Sequence, residues 1–323
     1  MKNQLVNCLI YFALINLIVV LLGYLVLRKR AILAAWLILP AAIGIVYFIF
    51  LHQHPIIKML AIIATTFAGM KAIAAAEAYK GKPLTLKFRQ WVVFASGWAG
   101  MRPQPFESLG GPALPNAWPM IRFGISRIVV GAILILLAHW LVALHLDGIL
   151  THIIVSVILL IGFSLILHFG LLGVSAGMWR LSGANTYVLF RQPAKAKSLT
   201  EFWSKRWNIA FSEMTSVALF RPLKNKIGGA AALMIAFMFS GLLHELALSL
   251  PVNTGYGLPM LYFIIQGSLV LFERWMTIHR PKFLNNKLLA TAWVFFWVVA
   301  PAPLLFHAAF IHEIVWPLAG LKW

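Results

Sequence analysis

The chain has 323 residues, of which 62% are hydrophobic and 11% charged, with a mean hydropathy of +0.88. A soluble globule of this size needs about 25% charged residues to solvate its surface, so the composition excludes one. The formal charge of +19 would suit a nucleic-acid binder only on a solvated basic face, and here the basic residues sit in gaps between long apolar runs. The chain therefore reads as an all-α, polytopic integral membrane protein. Its single cysteine, Cys8, lies inside the first apolar run, which excludes a disulfide framework and a Cys-based metal site.

A membrane-spanning helix needs about 20 apolar residues. Eight runs qualify, over 5–27, 31–51, 56–76, 121–146, 150–179, 227–250, 258–278 and 288–318. The last holds Pro301, Pro303 and Pro317, which predicts a kinked or broken span. Residues 88–99 are apolar but too short to cross, and read as re-entrant or interfacial. Arg28, Lys29 and Arg30 follow the first run instead of preceding it, so it reads as a span and not as a cleavable leader. With the amino terminus outside, the inner segments 28–30, 77–122, 180–226 and 274–287 hold 3, 6, 9 and 4 Lys/Arg, together 22 of the 27. The outer loops are short, one of them carrying Asp147. No repeat, low-complexity tract or soluble domain is visible, so residues 1–323 read as one membrane-embedded domain. Short loops without a lumenal domain favour a bacterial inner membrane.

Two inner segments are long. The first contains Gly97-Trp98-Ala99-Gly100-Met101-Arg102-Pro103, whose Gly and Pro content predicts a structured loop. In the second, Ser198 and Glu201 have the spacing of a capping box. Beyond them Leu199, Trp203, Trp207, Ala210, Phe211 and Met214 recur at helical spacing, with Asn208 on the opposite, polar side beside Lys205 and Ser212. The pattern predicts an amphipathic helix lying in the inner interface.

An ionisable group inside an apolar span costs a few kcal/mol and so marks a candidate site. His244, in Ser240-Gly241-Leu242-Leu243-His244-Glu245, is the eighteenth residue of its 24-residue run. Ser240 and Gly241 share its helix face and leave room for an approaching group, whereas Glu245 points about 100° away. A hydrogen bond to a neighbouring helix is the plainer alternative for His244. The other histidines carry weaker signals. His52 and His54 flank a loop; His139, His145, His152 and His168 lie in or near spans without acidic company. His307, His312 and Glu313 cluster in the broken last span. Gln266, with Glu273 and Arg274 further along the seventh run, reads equally as a packing contact or as part of a site. Zincin, thiol-redox and P-loop motifs are all missing, and no metal site is expected.

Phe202-Trp203-Ser204-Lys205-Arg206-Trp207-Asn208 resembles the F-W-x-R-R-W-N motif of the membrane-bound O-acyltransferases, in their wax synthase-like branch. Ser240-Gly241-Leu242-Leu243-His244-Glu245 resembles that branch's S-G-x-x-H-E motif, and Gly100-Met101-Arg102-Pro103 an upstream G-M-R-P element. The likeness runs from about residue 97 to 274. It implies acyl transfer from a thioester to a hydroxyl, with His244 and Asn208 as catalytic residues and with Trp203, Lys205, Arg206, Trp207, Ser240, Gly241, Glu245 and Gln266 around the substrate. Lys205 stands where arginine is commoner, and Gln266 where many plant wax synthases have histidine.

Elementary chemistry agrees with that expectation. A hydroxyl needs a base within hydrogen-bond reach, and a neutral imidazole in a dry cavity is one. His244 would take the proton at Nε2 or Nδ1. Asn208 would position a substrate or donate to the developing oxyanion. No resident cofactor is required. Acyl-CoA is the expected co-substrate, its anionic head held by the nine Lys/Arg of residues 180–226, a cluster that inside-positive topology also explains. A long-chain alcohol is the expected acceptor; a sterol, a diacylglycerol, a saccharide or a secreted polymer are alternatives. A transporter is the competing class, weakened by the lack of repeated halves.

Overall fold

The computed structural model describes residues 2–145, 148–280 and 284–322. Asp147, assigned above to an outer loop, falls outside them. The described chain is helical throughout, without a strand. Three helices open it: α1 (Lys2–Lys29), α2 (Ile32–Ile49) and α3 (Pro55–Ala78). A short α4 (Phe88–Gly97) follows, and then α5 (Ala117–Ala143) crosses back. The next crossing is α6 (Ile149–Ser164), a π-helical turn (Leu165–Leu171) and α7 (Leu172–Leu181) in one line. After a long inner segment, α11 (Gly229–His244) runs into a π turn (Glu245–Ser249), and α12 (Leu258–His279) returns along it. The chain ends on α13 (Lys287–Val299), α14 (Ala302–Leu305), α15 (Ala308–Phe310) and α16 (Trp316–Leu318). The prolines break the last span as the sequence predicts.

Seven of these helical runs are long and apolar enough to cross a membrane, where the sequence suggested eight. The difference is α12. Its 22 residues reach about 33 Å, enough to cross, but Gln266, Glu273 and Arg274 make it too polar to qualify by composition. Both Gln266 and Glu273 are buried against neighbouring helices, which removes the cost of those groups facing lipid.

The apolar stretch at residues 88–97 forms α4, which packs against α1 and α3. Trp91 Nε1 donates to the carbonyl of Val20 at 2.8 Å, roughly 13 Å up α1 from its inner end. Lys71, buried in the middle of α3, donates from Nζ to the carbonyls of Phe94 (2.6 Å) and Trp98, where α4 ends. A cation on the last carbonyls of a helix satisfies groups that have no partner within the helix. Lys71 thus ties the loop that follows α4 to the bundle.

The second long inner segment departs from its prediction. Ser198 caps as expected, its Oγ accepting from Glu201 N at 2.9 Å, and α8 (Leu199–Glu201) starts there. A π turn (Phe202–Arg206) follows, and the helix then stops. Asn208 takes the left-handed conformation (φ 42°, ψ 62°) and starts α9 (Ile209–Thr215), with Oδ1 accepting from Phe211 N at 3.3 Å. A further π turn (Ser216–Phe220) leads into α10 (Arg221–Ile227). Asparagine tolerates that backbone and caps helices, which explains the residue type by local physics alone. The segment does not float in the interface: Leu199, Phe202, Ala210 and Met214 are buried against the spans. It is pinned by Glu273, whose carboxylate accepts from Leu199 N (2.7 Å), Thr200 N (3.1 Å), Thr200 Oγ1 (3.1 Å) and Trp293 Nε1 (3.2 Å).

Candidate active site

Where this inner segment plugs into the bundle, a cavity of about 960 Å³ lies between it, α6, α11, α12 and the broken last span. That is at the upper end of the roughly 300–1,000 Å³ usual for ligand sites. His244 and Asn208, 36 residues apart, both line it. His244 lies at the end of α11, where the π turn begins. Its Nδ1 is 2.7 Å from the carbonyl of Ser240. A carbonyl can only accept, so Nδ1 carries the hydrogen and Nε2 keeps the lone pair. Phe263 packs on the imidazole at 4.4 Å between ring centroids. Asn208 spends Oδ1 on its own helix cap, which leaves the Nδ2 amide as its donor.

Trp203 and Trp207 form part of the cavity wall. Trp207 stacks on Phe202 (5.7 Å), Phe202 meets Trp203 (5.0 Å), and Trp203 meets Phe263 (5.8 Å). Gln266 is absent from the lining but positions this wall. Its Oε1 accepts from Trp203 Nε1 at 3.1 Å, and its Nε2 donates to the carbonyl of Trp297 at 2.7 Å.

Several of the predicted substrate contacts are placed elsewhere. Glu245 is turned away from the cavity, as the helical angle suggested, and Oε1 accepts from Gly257 N (2.9 Å) and Met260 N (3.0 Å) at the start of α12. A carboxylate there satisfies the free N–H groups of a helix N-terminus. Gly241 gives room to a helix and not to a ligand: a Cβ on it would lie 2.9 Å from Met260 Cα. Arg206 grips Glu201 (2.7 Å) and the carbonyls of Arg191 and Gln192 (3.2 Å each). Lys205 is exposed and lies outside the lining.

The G-M-R-P element reaches the cavity through Arg102. A Cβ on Gly100 would lie 2.1 Å from Trp98 Nε1, so only glycine fits there. Arg102 follows, lines the cavity and pairs through Nε with Glu213 Oε1 at 3.0 Å. Burial pushes the Glu213 carboxyl above its ordinary range, against the opposing pull of the Tyr187 hydroxyl and the arginines Arg102 and Arg191.

One lining residue had no sequence signal above its neighbours. His168, in the π turn of the α6–α7 crossing, faces the same cavity and lies within electrostatic reach of His244. Acidic company was the wrong filter, because a dry site favours neutral imidazoles; depth inside an apolar run was the usable signal. Two of the remaining histidines cap helix starts: His54 and His307 accept from Ile56 N and Phe310 N, each at 3.3 Å. Among the described residues, no three His, Cys, Asp or Glu side chains gather as a metal site.

The described chain is thus a polytopic all-α bundle whose cavity is lined by His168, His244 and Asn208. Residues 187–265 match the membrane bound O-acyl transferase family. A long-chain-alcohol O-fatty-acyltransferase of Simmondsia chinensis is 32% identical over 71 residues, 20% of either chain. A probable long-chain-alcohol O-fatty-acyltransferase of Arabidopsis thaliana is 28% identical over 172 residues, 51% of this chain and 48% of that one. The matches thus span a fifth and about half the length of these relatives.

Proposed function

We propose that the protein is a membrane-embedded O-acyltransferase that moves a fatty acyl group from acyl-CoA to a long-chain alcohol. The observation that carries this reading is the pairing, in one deep cavity, of a base-ready His244 with the Asn208 donor. His244 Nε2 takes the alcohol proton as the alcohol oxygen bonds to the thioester carbon. Asn208 Nδ2 supports the carbonyl oxygen as it gains charge. The C–S bond then breaks, and the departing CoA thiolate recovers the proton from the imidazolium. Ester and free CoA result, with no acyl-enzyme.

The cavity's two ends support the two substrates. Arg102 and Arg221 line it from the inner side, where a CoA phosphate would sit. Ile161, Leu167, Phe295 and Val299 line it while remaining about half exposed on the lipid-facing surface, which suits an apolar acceptor arriving from the bilayer better than a saccharide. A bacterial inner membrane is the setting that the short loops favour.

Purified protein in liposomes, given radiolabelled acyl-CoA and a panel of hydroxyl acceptors, tests the proposal. Ester should form with long-chain alcohols and fall about 10²–10⁴-fold in folded His244→Ala. Ester formation that survives this substitution removes His244 as the base. A folded protein that acylates nothing and binds no acyl-CoA is not an acyltransferase, and transport becomes the reading to pursue.

A further inference from the structure

The second histidine in the cavity has no role in the chemistry above, and its surroundings define what it can do. His168 Nδ1 is 3.0 Å from Ser164 Oγ, one helical turn earlier. Other serines in the molecule, such as Ser96 and Ser204, turn their hydroxyls back to the carbonyl four residues before. Among the described residues the Ser164 hydroxyl has His168 as its hydrogen-bond partner and no such carbonyl. A hydroxyl that donates in this pair makes Nδ1 the acceptor. An imidazole that accepts at Nδ1 carries its hydrogen on Nε2. In that arrangement the two cavity histidines hold opposite tautomers: His244 donates at Nδ1 and offers a lone pair at Nε2, whereas His168 accepts at Nδ1 and offers N–H at Nε2.

Packing fixes the His168 ring in place. It lies 4.6 Å from Phe190 and 5.6 Å from Trp207 by ring centroids, and Trp207 immediately precedes Asn208. The π turn that carries His168 is one of four that line the cavity, with Phe202–Arg206 before Asn208, Ser216–Phe220 and Ile311–Val315; a further one, Glu245–Ser249, follows His244. Such turns cost hydrogen-bond geometry and recur at functional sites.

We propose that His168 is a second oxyanion donor: its Nε2–H and the Asn208 amide together hold the acyl carbonyl oxygen while His244 deprotonates the alcohol. The inference rests on the acyltransferase reading. No proton is transferred from His168. Its hydrogen bond strengthens as the carbonyl carbon becomes tetrahedral and weakens when the C–S bond breaks. Ser164 is the positioning residue that selects the tautomer.

The test combines turnover with binding. His168→Ala should lower kcat about 10²–10³-fold with little change in the KM for acyl-CoA. His168→Gln, whose amide can still donate, should recover roughly tenfold of that loss. Ser164→Ala should lower kcat by about three- to tenfold, since the tautomer is then free. Independently of turnover, S-(2-oxoalkyl)-CoA, which keeps a carbonyl, should bind wild type about tenfold more tightly than S-alkyl-CoA, which has none. That preference should shrink in His168→Ala. Wild-type kcat in His168→Ala, or an undiminished carbonyl preference, overturns the assignment while leaving the acyltransferase reading intact. If His168→Ala does not fold, the glutamine variant and Ser164→Ala decide, and unchanged kcat in both overturns it equally. Wild type that forms no ester with any acceptor overturns both readings.

Discussion

Between α1, α2 and α3 the contacts are made by small side chains. A Cβ on Gly23 would meet Ala72 Cβ on α3 at 3.3 Å, and one on Gly69 would meet Leu39 on α2 at 2.7 Å. Ala68, Ala72 and Ala75 are buried on α3. Between residues 187 and 273 the contacts are made instead by carboxylates and amides: Glu273, Glu245, Gln266, Asn208 and the Arg206–Glu201 pair. The difference has a physical cause. In lipid, regular helices satisfy their own backbone, so close packing through small residues is enough. The inner segment breaks its helix at Trp207 and Asn208 deep among the spans, and each freed N–H or carbonyl there needs a partner. The polar residues that meet this demand also shape the cavity.

Substitutions in the polar region should therefore remove function, and those in the small-residue region should remove only stability. The largest separation is expected at Asn208. Asn208→Asp keeps the cap oxygen but has no N–H, so turnover should fall about 10²–10³-fold with the fold retained. Asn208→Ala should lose the same turnover and about 1–2 kcal/mol besides, from the missing cap and the left-handed backbone. Equal stabilities for the two variants in detergent would break the assignment of Oδ1 to the cap.

Glu273→Ala removes the acceptor shared by Leu199 N, Thr200 N, Thr200 Oγ1 and Trp293 Nε1. Unfolding in detergent should show a loss of about 3–5 kcal/mol, with activity falling alongside it. Retained activity would mean that α8 holds its place without this anchor. Gly69→Val is the counterpart in the other region. Its side chain must push on Leu39, which should cost about 1–3 kcal/mol while kcat per folded molecule stays unchanged. A fall in kcat would show that the two regions are coupled.

The smallest effect is at Glu201. Burial pushes its carboxyl up, but the Lys197 backbone N–H and Arg206 outweigh burial and hold it below the ordinary value. A lowered carboxyl stabilises the fold above the ordinary carboxylate range, and that contribution fades as pH falls through the lowered value. Glu201→Gln should therefore cost about 0.5–1 kcal/mol at neutral pH and nothing in acid. A cost that persists in acid would assign the effect to packing.

The amino-acid sequence by itself determined the class of fold, the order of the helices, the broken last span and the capped start at Ser198. It also singled out His244 and Asn208, through the cost of an imidazole inside an apolar run and through the likeness of two motifs. Each of these signals is local, extending a few helical turns, because hydropathy, capping and periodicity act over that range. Tertiary structure alone decided that the inner segment is a plug, that Gln266 steadies Trp203, that Glu245 and Gly241 serve α12, and that His168 joins the cavity. The contacts responsible join residues far apart, Trp203 to Gln266 across 63 positions and Leu199 to Glu273 across 74. Helical spacing placed Asn208 on a polar face, but a left-handed backbone at that one residue ends the helix there and starts the next, and no periodic pattern carries that information.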